Sequence, residues 1–207
     1  MESEWKALNL KFPYGDNASI HENTTDGIIM KWGQEKGSLE NKVSLHDSSR
    51  IWGNQYGIYL DNDAAASVIM NGSSQIDRNK RDGIGCSWHY IDRFSLEMTE
   101  ESSIRSNGRR QISLEAGSTK GKAEDKVQIR LSENASVIGG LNEDETYSEI
   151  GIAVQSACIV RMEGNSRIEQ KKGKAMSLSC LGGKGITQEI DVTMSDQAKI
   201  QVSDDAV

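Results

Sequence analysis
The residues best equipped for chemistry in this 207-residue chain are a scatter of acids and arginines and four tryptophans. Asp26 and Asp82 hold matching places, each directly before a glycine, and Tyr56 takes the same place in the stretch between them. Asp61 and Asp63 lie nearby, and Arg105, Arg109 and Arg110 follow. Two carboxyls can share acid and base roles on a glycosidic bond. The set is nevertheless diffuse. Tyr56 separates the two matched acids, and Asp61-Asn62-Asp63, the tightest pair, has no supporting acid in register. Solvated turn carboxylates are the reading this spacing favours. Glu124 and Asp125 fall in the charged run from Lys120 to Lys126, which reads as a solvated loop.

The aromatics divide in two. Trp32 lies four residues after Ile28, and Trp88 four after Ile84, with His89 and Tyr90 beside it. Trp32, Trp88 and Tyr90 could form an aromatic platform for a sugar. Strand parity through 28, 30, 32 and 84, 86, 88 instead turns both indoles inward as corner plugs, and favours that structural role. Trp52 follows Ile51 and should point outward as the more exposed indole. The ligand-contact candidates are therefore Trp32, Trp52, Trp88 and Tyr90. His21, His46 and His89 show no metal-ligand spacing, so no metal is called. Gly182-Gly183-Lys184-Gly185 precedes no helix and makes no phosphate cradle. The Asn-x-Ser/Thr triplets at Asn17, Asn23, Asn71 and Asn134 follow from composition. No cofactor is implied.

Charge and composition narrow the classes further. Against 24 basic residues stand 31 acidic ones, a net charge of -7, which argues against binding a nucleic-acid backbone. No apolar run approaches the roughly 20 residues of a membrane span. Met1 to Lys6 has neither the basic nor the apolar region of a secretion signal. Twenty glycines, one proline (Pro13) and 5% aromatics suit a thin core with many turns.

The elements that would position these groups come from a repeat. Anchors stand at Ile20, Ile51, Ile76, Ile104, Val137, Ile168 and Ile200, between 25 and 33 residues apart. Two residues before each is a small one: Ala18, Ser49, Ser74, Ser102, Ala135, Ser166 and Ala198. Six before stands Tyr14, Leu45, Met70, Met98, Leu131, Met162 or Met194. Two further back come Phe12, Val43, Val68, Leu96, Ile129, Val160 and Val192. Three after the anchor come Asn23, Asn54, Asn79 and Asn107, suited to a corner, before the column lapses. A second apolar pair follows most anchors, as in Ile58/Leu60, usually preceded by glycine. Every pair is spaced by two, the strand period, and no helical periodicity is sustained.

Each repeat therefore holds three short strands, and stacking repeats buries the apolar face that no single one can bury. The predicted fold is all-β: a right-handed parallel β-helix of about seven coils, three strands per coil. Anchor and Met/Leu ladders face inward, and an Asn ladder runs up one corner. Residues 12–207 form this domain with its last coil incomplete, and residues 1–11 form an N-terminal cap. The strict six-residue period of a left-handed helix is absent. Variable excursions between second and third strands stack on one side, where binding loops usually lie. Cys86 and Cys180 fall three coils apart, roughly 14 Å at the strand spacing, too far for a disulfide. Cys158 and Cys180 fall on adjacent coils near one corner, and a bridge there stays open.

The pattern apolar-x-Met-x-x-x-small-x-Ile-x-x-Asn-x-x-x-Gly-Ile, best seen at Ile51–Leu60 and Ile76–Ile84, resembles the repeats of right-handed parallel β-helix proteins of pectin-lyase-like architecture. It is most similar to the loose coils of bacterial surface and secreted adhesins. That resemblance implies a non-catalytic extracellular or cell-surface module that presents stacked loops for adhesion or glycan contact. Its rival is a polysaccharide-processing enzyme, a lyase or glycoside hydrolase, or a fragment of one. Lyases of this architecture pair an Arg or Lys base with clustered acids that hold calcium, for which the acids and arginines above are the nearest match. A trimerising fibre segment is a third reading. Ile200 opens a coil that Val207 leaves unfinished, without a polar cap, so a larger parent chain or homo-oligomer is expected.

Overall fold
The structure is a computed structural model that describes residues 9–11, 17–31, 41–61, 65–86, 93–114, 127–140, 150–179 and 189–203. In chain order the strands are β1 (Asn9–Lys11), β2 (Ser19–His21), β3 (Ile28–Lys31), β4 (Asn41–Leu45), β5 (Arg50–Trp52), β6 (Ile58–Asp61) and β7 (Ala65–Met70). They continue as β8 (Gln75–Asp77), β9 (Ile84–Cys86), β10 (Arg93–Met98), β11 (Ser103–Arg105), β12 (Arg110–Leu114), β13 (Val127–Leu131) and β14 (Ser136–Gly139). The last six are β15 (Ile150–Gln155), β16 (Cys158–Met162), β17 (Arg167–Gln170), β18 (Lys174–Ser179), β19 (Ile190–Met194) and β20 (Lys199–Val202).

Every third strand pairs with the next. One sheet runs β1-β4-β7-β10-β13-β16-β19, a second β2-β5-β8-β11-β14-β17-β20, and a third β3-β6-β9-β12-β15-β18. The pairings are parallel, with anchor on anchor: Ile20↔Ile51, Ile51↔Ile76, Ile76↔Ile104, Ile104↔Val137, Val137↔Ile168 and Ile168↔Ile200. This is the predicted parallel β-helix, and parallel crossovers take the right-handed sense. Residues 1–8 lie outside the described residues; Asn9–Lys11 form the opening strand of the first sheet, with Leu10 opposite Val43, the place expected for Phe12, so the first row of the repeat starts two residues earlier than its spacing implied.

Inward ladders make the core. Ile51, Ile76, Ile104, Val137 and Ile168 are fully buried, as are Leu45, Met70 and Met98. Coverage stops at the last coil, where Val192, Met194 and Ile200 are 40%, 42% and 37% exposed, because among the described residues β19 and β20 are the edge strands of their sheets. The small-residue column is buried too: Ser49, Ser74, Ser102, Ala135 and Ser166. Glycine recurs before the third sheet because coils touch there. A Cβ on Gly57 would lie 2.5 Å from the Gly83 carbonyl oxygen and 2.6 Å from Ile76 Cγ2.

Corners are built by two devices. At the first-to-second-sheet corner, Asp47, Gly72, Glu100, Glu133, Gly164 and Asp196 take positive φ, each four residues before its anchor. Three of the four acids in this column offset the strained backbone with a hydrogen bond to the coil below. Glu100 accepts from the Gly72 N–H at 2.8 Å, Glu133 from Glu100 at 3.0 Å, and Asp196 from Gly164 at 3.2 Å. At the next corner Glu22, Gly53, Arg78 and Ser106 are left-handed, and the asparagines follow. The Asn23 amide donates to Asn54 Oδ1 at 2.8 Å, Asn54 to Asn79 at 3.1 Å, and Asn79 to Asn107 at 2.9 Å. The fifth coil has Gly140 in the Asn column. Gln111 then terminates the ladder from within the fourth coil: its Oε1 accepts from the Asn107 side chain at 2.8 Å and backbone N–H at 3.1 Å.

Candidate functional site
The outward face of the second sheet carries the residues on either side of each anchor. His21, Trp52, Asp77 and Arg105 form one column in register, and Arg50 and Gln75 stand in the other. Strand spacing sets equivalent side chains about 4.8 Å apart, the right distance for rings to stack. His21 and Trp52 do so, 4.8 Å between centroids and 6° from parallel. Arg50 and Arg78 each place the guanidinium carbon 5.3 Å from the Trp52 ring centroid. With His21 closing one face of the indole, the guanidiniums lie over the other, a cation–π arrangement.

Asp77, with its side chain 3% exposed, holds both cations: Arg50 through a bidentate pair and Arg78 at 3.3 Å. Arg105 extends the row by donating to Gln75 Oε1 at 3.0 Å. Trp52 thus points outward, as its place after the anchor requires, and is half-buried. What it offers solvent is an edge framed by a histidine and two arginines. Trp32, Trp88 and Tyr90 lie outside the described residues, as do the excursions between second and third strands at 32–40, 62–64, 87–92, 115–126 and 180–188.

The acid–arginine set assembles at the corner leading to the third sheet. Backbone hydrogen bonds from Gly27 to Tyr56, Gly57 to Asp82 and Gly83 to Arg110 put Asp26, Tyr56, Asp82 and Arg110 in one column. Tyr56 therefore sits between the two acids, as the sequence register implies. The Tyr56 ring fills the space above Gly85, leans on Tyr59 at 4.8 Å and carries Arg81 over it at 4.9 Å. Arg109 approaches Asp82 Oδ2 at 3.8 Å, and Arg110 donates to Ser113 Oγ at 3.0 Å.

Burial pushes the Asp82 carboxyl up to about 6, against the pull of Arg109, Arg110 and Arg81. Burial also raises Asp26 and the Tyr56 phenol. A carboxyl that titrates near neutrality is suited to proton transfer. Asp82, however, is only 2% exposed, beneath Tyr56 and Arg109. An acid or base must come within hydrogen-bonding reach of the atom it serves, and this one faces protein. Asp61 closes β6, and Asp63 lies outside the described residues. Cys86 and Cys158 stand on different sheets, and Cys180 lies outside the described residues.

Sequence reasoning singled out Trp52 but missed His21, Arg50, Arg78 and Asp77 around it. The signal was present: positions one residue either side of an anchor share an outward face, so matching them between neighbouring coils pairs His21 with Trp52 and Arg50 with Gln75. Among the described residues, no helix is long and apolar enough to cross a membrane. No protein-family model, curated protein or solved structure matches this chain.

Proposed function
We propose that this chain is a non-catalytic extracellular or cell-surface module of the adhesin kind, whose outward faces make contact with glycans. The observation that carries this reading is the linear disposition of its outward chemistry. His21, Trp52 with its two arginines, Asp77 and Arg105 follow one another up the second sheet at strand spacing, so the surface suits an extended polymer better than a small molecule. Rigid side chains and guanidiniums already held in place lose little freedom on binding, which favours recognition.

Affinity electrophoresis of the full chain through gels containing polysaccharides tests the reading. Retardation is expected, with several-fold weaker binding for Trp52→Ala at unchanged circular dichroism. Equal migration in every polysaccharide would count against it.

A second reading, a polysaccharide-processing enzyme of the pectin-lyase-like kind, is favoured by Asp82 with its carboxyl near 6 among Arg81, Arg109 and Arg110. It requires the corner to open, since Asp82 is buried. Incubation with uronate oligomers, followed by absorbance of new double bonds and by reducing ends, separates the two. Turnover lost in Arg109→Gln or Arg110→Gln would replace the binding-module reading.

A further inference from the structure
The outward column of the first sheet brings two exposed arginines side by side. In register along it stand Glu97, Arg130, Arg161 and Thr193, on β10, β13, β16 and β19. Arg130 and Arg161 are direct neighbours on parallel strands, both exposed, with backbones about 4.8 Å apart. Like charges placed directly opposite each other destabilise a sheet.

Six other described arginines have partners. Arg50 and Arg78 hold Asp77, Arg105 holds Gln75, Arg109 approaches Asp82, Arg110 holds Ser113, and Arg167 lies 3.6 Å from Glu169. Among the described residues, neither Arg130 nor Arg161 makes an ion pair or side-chain hydrogen bond. They line a shallow depression of about 250 Å³ together with Ser132, Thr193, Ser195 and Glu163. Sites for drug-sized ligands run from about 300 to 1,000 Å³, so this one has room for a single sugar ring or a charged substituent.

We infer that this depression binds the carboxylate or sulfate group of an acidic sugar, bridged between the Arg130 and Arg161 guanidiniums. Two guanidiniums side by side offer parallel donors to an oxyanion and lose their mutual repulsion when one sits between them. The remaining lining suits the rest of a sugar. Glu97 and Glu163 accept hydrogen bonds from ring hydroxyls, and Ser132, Thr193 and Ser195 both donate and accept. The inference rests on the glycan-contact reading and places a charge-selective contact on a sheet other than that of Trp52.

Calorimetric titration of the full chain tests it with four probes: sodium sulfate, a uronate oligosaccharide, a sulfated oligosaccharide and a neutral oligosaccharide of matched length. At least tenfold tighter binding of an acidic oligosaccharide over the neutral one is expected. The preferred acidic probe identifies the group held, and competition by sulfate supports the same site. Arg130→Gln and Arg161→Gln should each weaken acidic binding at least fivefold without lowering the thermal midpoint, since both side chains are exposed and each change relieves the like-charge contact. Equal binding of acidic and neutral probes overturns the inference. So does wild-type affinity in both arginine variants, and if Trp52→Ala alone lowers binding the glycan reading survives. Binding of no oligosaccharide by the wild-type chain overturns both.

Discussion
Replacing Asn79 by alanine tests whether the corner ladder is a main support of the stack. Asn79 is 1% exposed and lies mid-ladder. Its Oδ1 accepts from the Asn54 backbone N–H and side-chain amide, both at 3.1 Å. Its Nδ2 donates to Ile51 O at 3.4 Å and Asn107 Oδ1 at 2.9 Å. Alanine removes all four bonds. At about 1 kcal/mol net for each, and about 1 kcal/mol or more for leaving the buried Asn54 N–H without an acceptor, the loss comes to about 5 kcal/mol. That is a large share of the roughly 5–15 kcal/mol that holds a domain folded.

Asn23→Ala is the matched control. Asn23 is exposed at the start of the ladder, and its side chain gives one bond, to Asn54 Oδ1, so the cost should stay near or below about 1 kcal/mol. Urea unfolding followed by circular dichroism gives both values, and hydrogen exchange of the Asn54 amide reports locally if the stack unfolds in steps. If Asn79→Ala cost no more than Asn23→Ala, with Asn54 equally protected, the reasoning would be refuted.

Other outcomes follow from the same geometry. Asp82 releases its proton near pH 6 in the folded chain and near 3.8 when unfolded. Between those values the folded state binds more protons, so stability is lost as pH rises through that window, by about 3 kcal/mol from this group. Asp82→Asn should remove that slope, read as the difference between variant and wild-type urea midpoints at pH 4 and pH 7; parallel profiles would show the carboxyl unshifted. Gly57→Ala drives a methyl into the Gly83 carbonyl and Ile76, and should destabilise by about 3 kcal/mol or prevent folding; an unchanged thermal midpoint would disprove the close contact.

The architecture was legible because its determinants recur by position. Ile51, Ile76 and Ile104 are one ladder, and the spacing that aligns them also aligns Asn54, Asn79 and Asn107. Columns of mixed residue type were harder to read. Asp47, Gly72, Glu100, Glu133, Gly164 and Asp196 share a left-handed backbone that glycine adopts without penalty and that acids adopt while capping the coil below, so chemistry alone did not group them. Gln111 broke the glycine column for a reason visible only in three dimensions, where it replaces the asparagine missing at Gly140. The outward clusters around Trp52 and Asp82 depend on side-chain reach between coils, which repeat register constrains but does not determine.

The central claim is that this solenoid holds an acidic glycan along its outward faces and leaves it intact. Its most direct test is to incubate the full chain with a saturating acidic oligosaccharide, separate bound from free, and size the recovered sugar. Recovery of bound oligosaccharide at its original length is the expected result. Shortened oligosaccharide, or none retained, would contradict the claim.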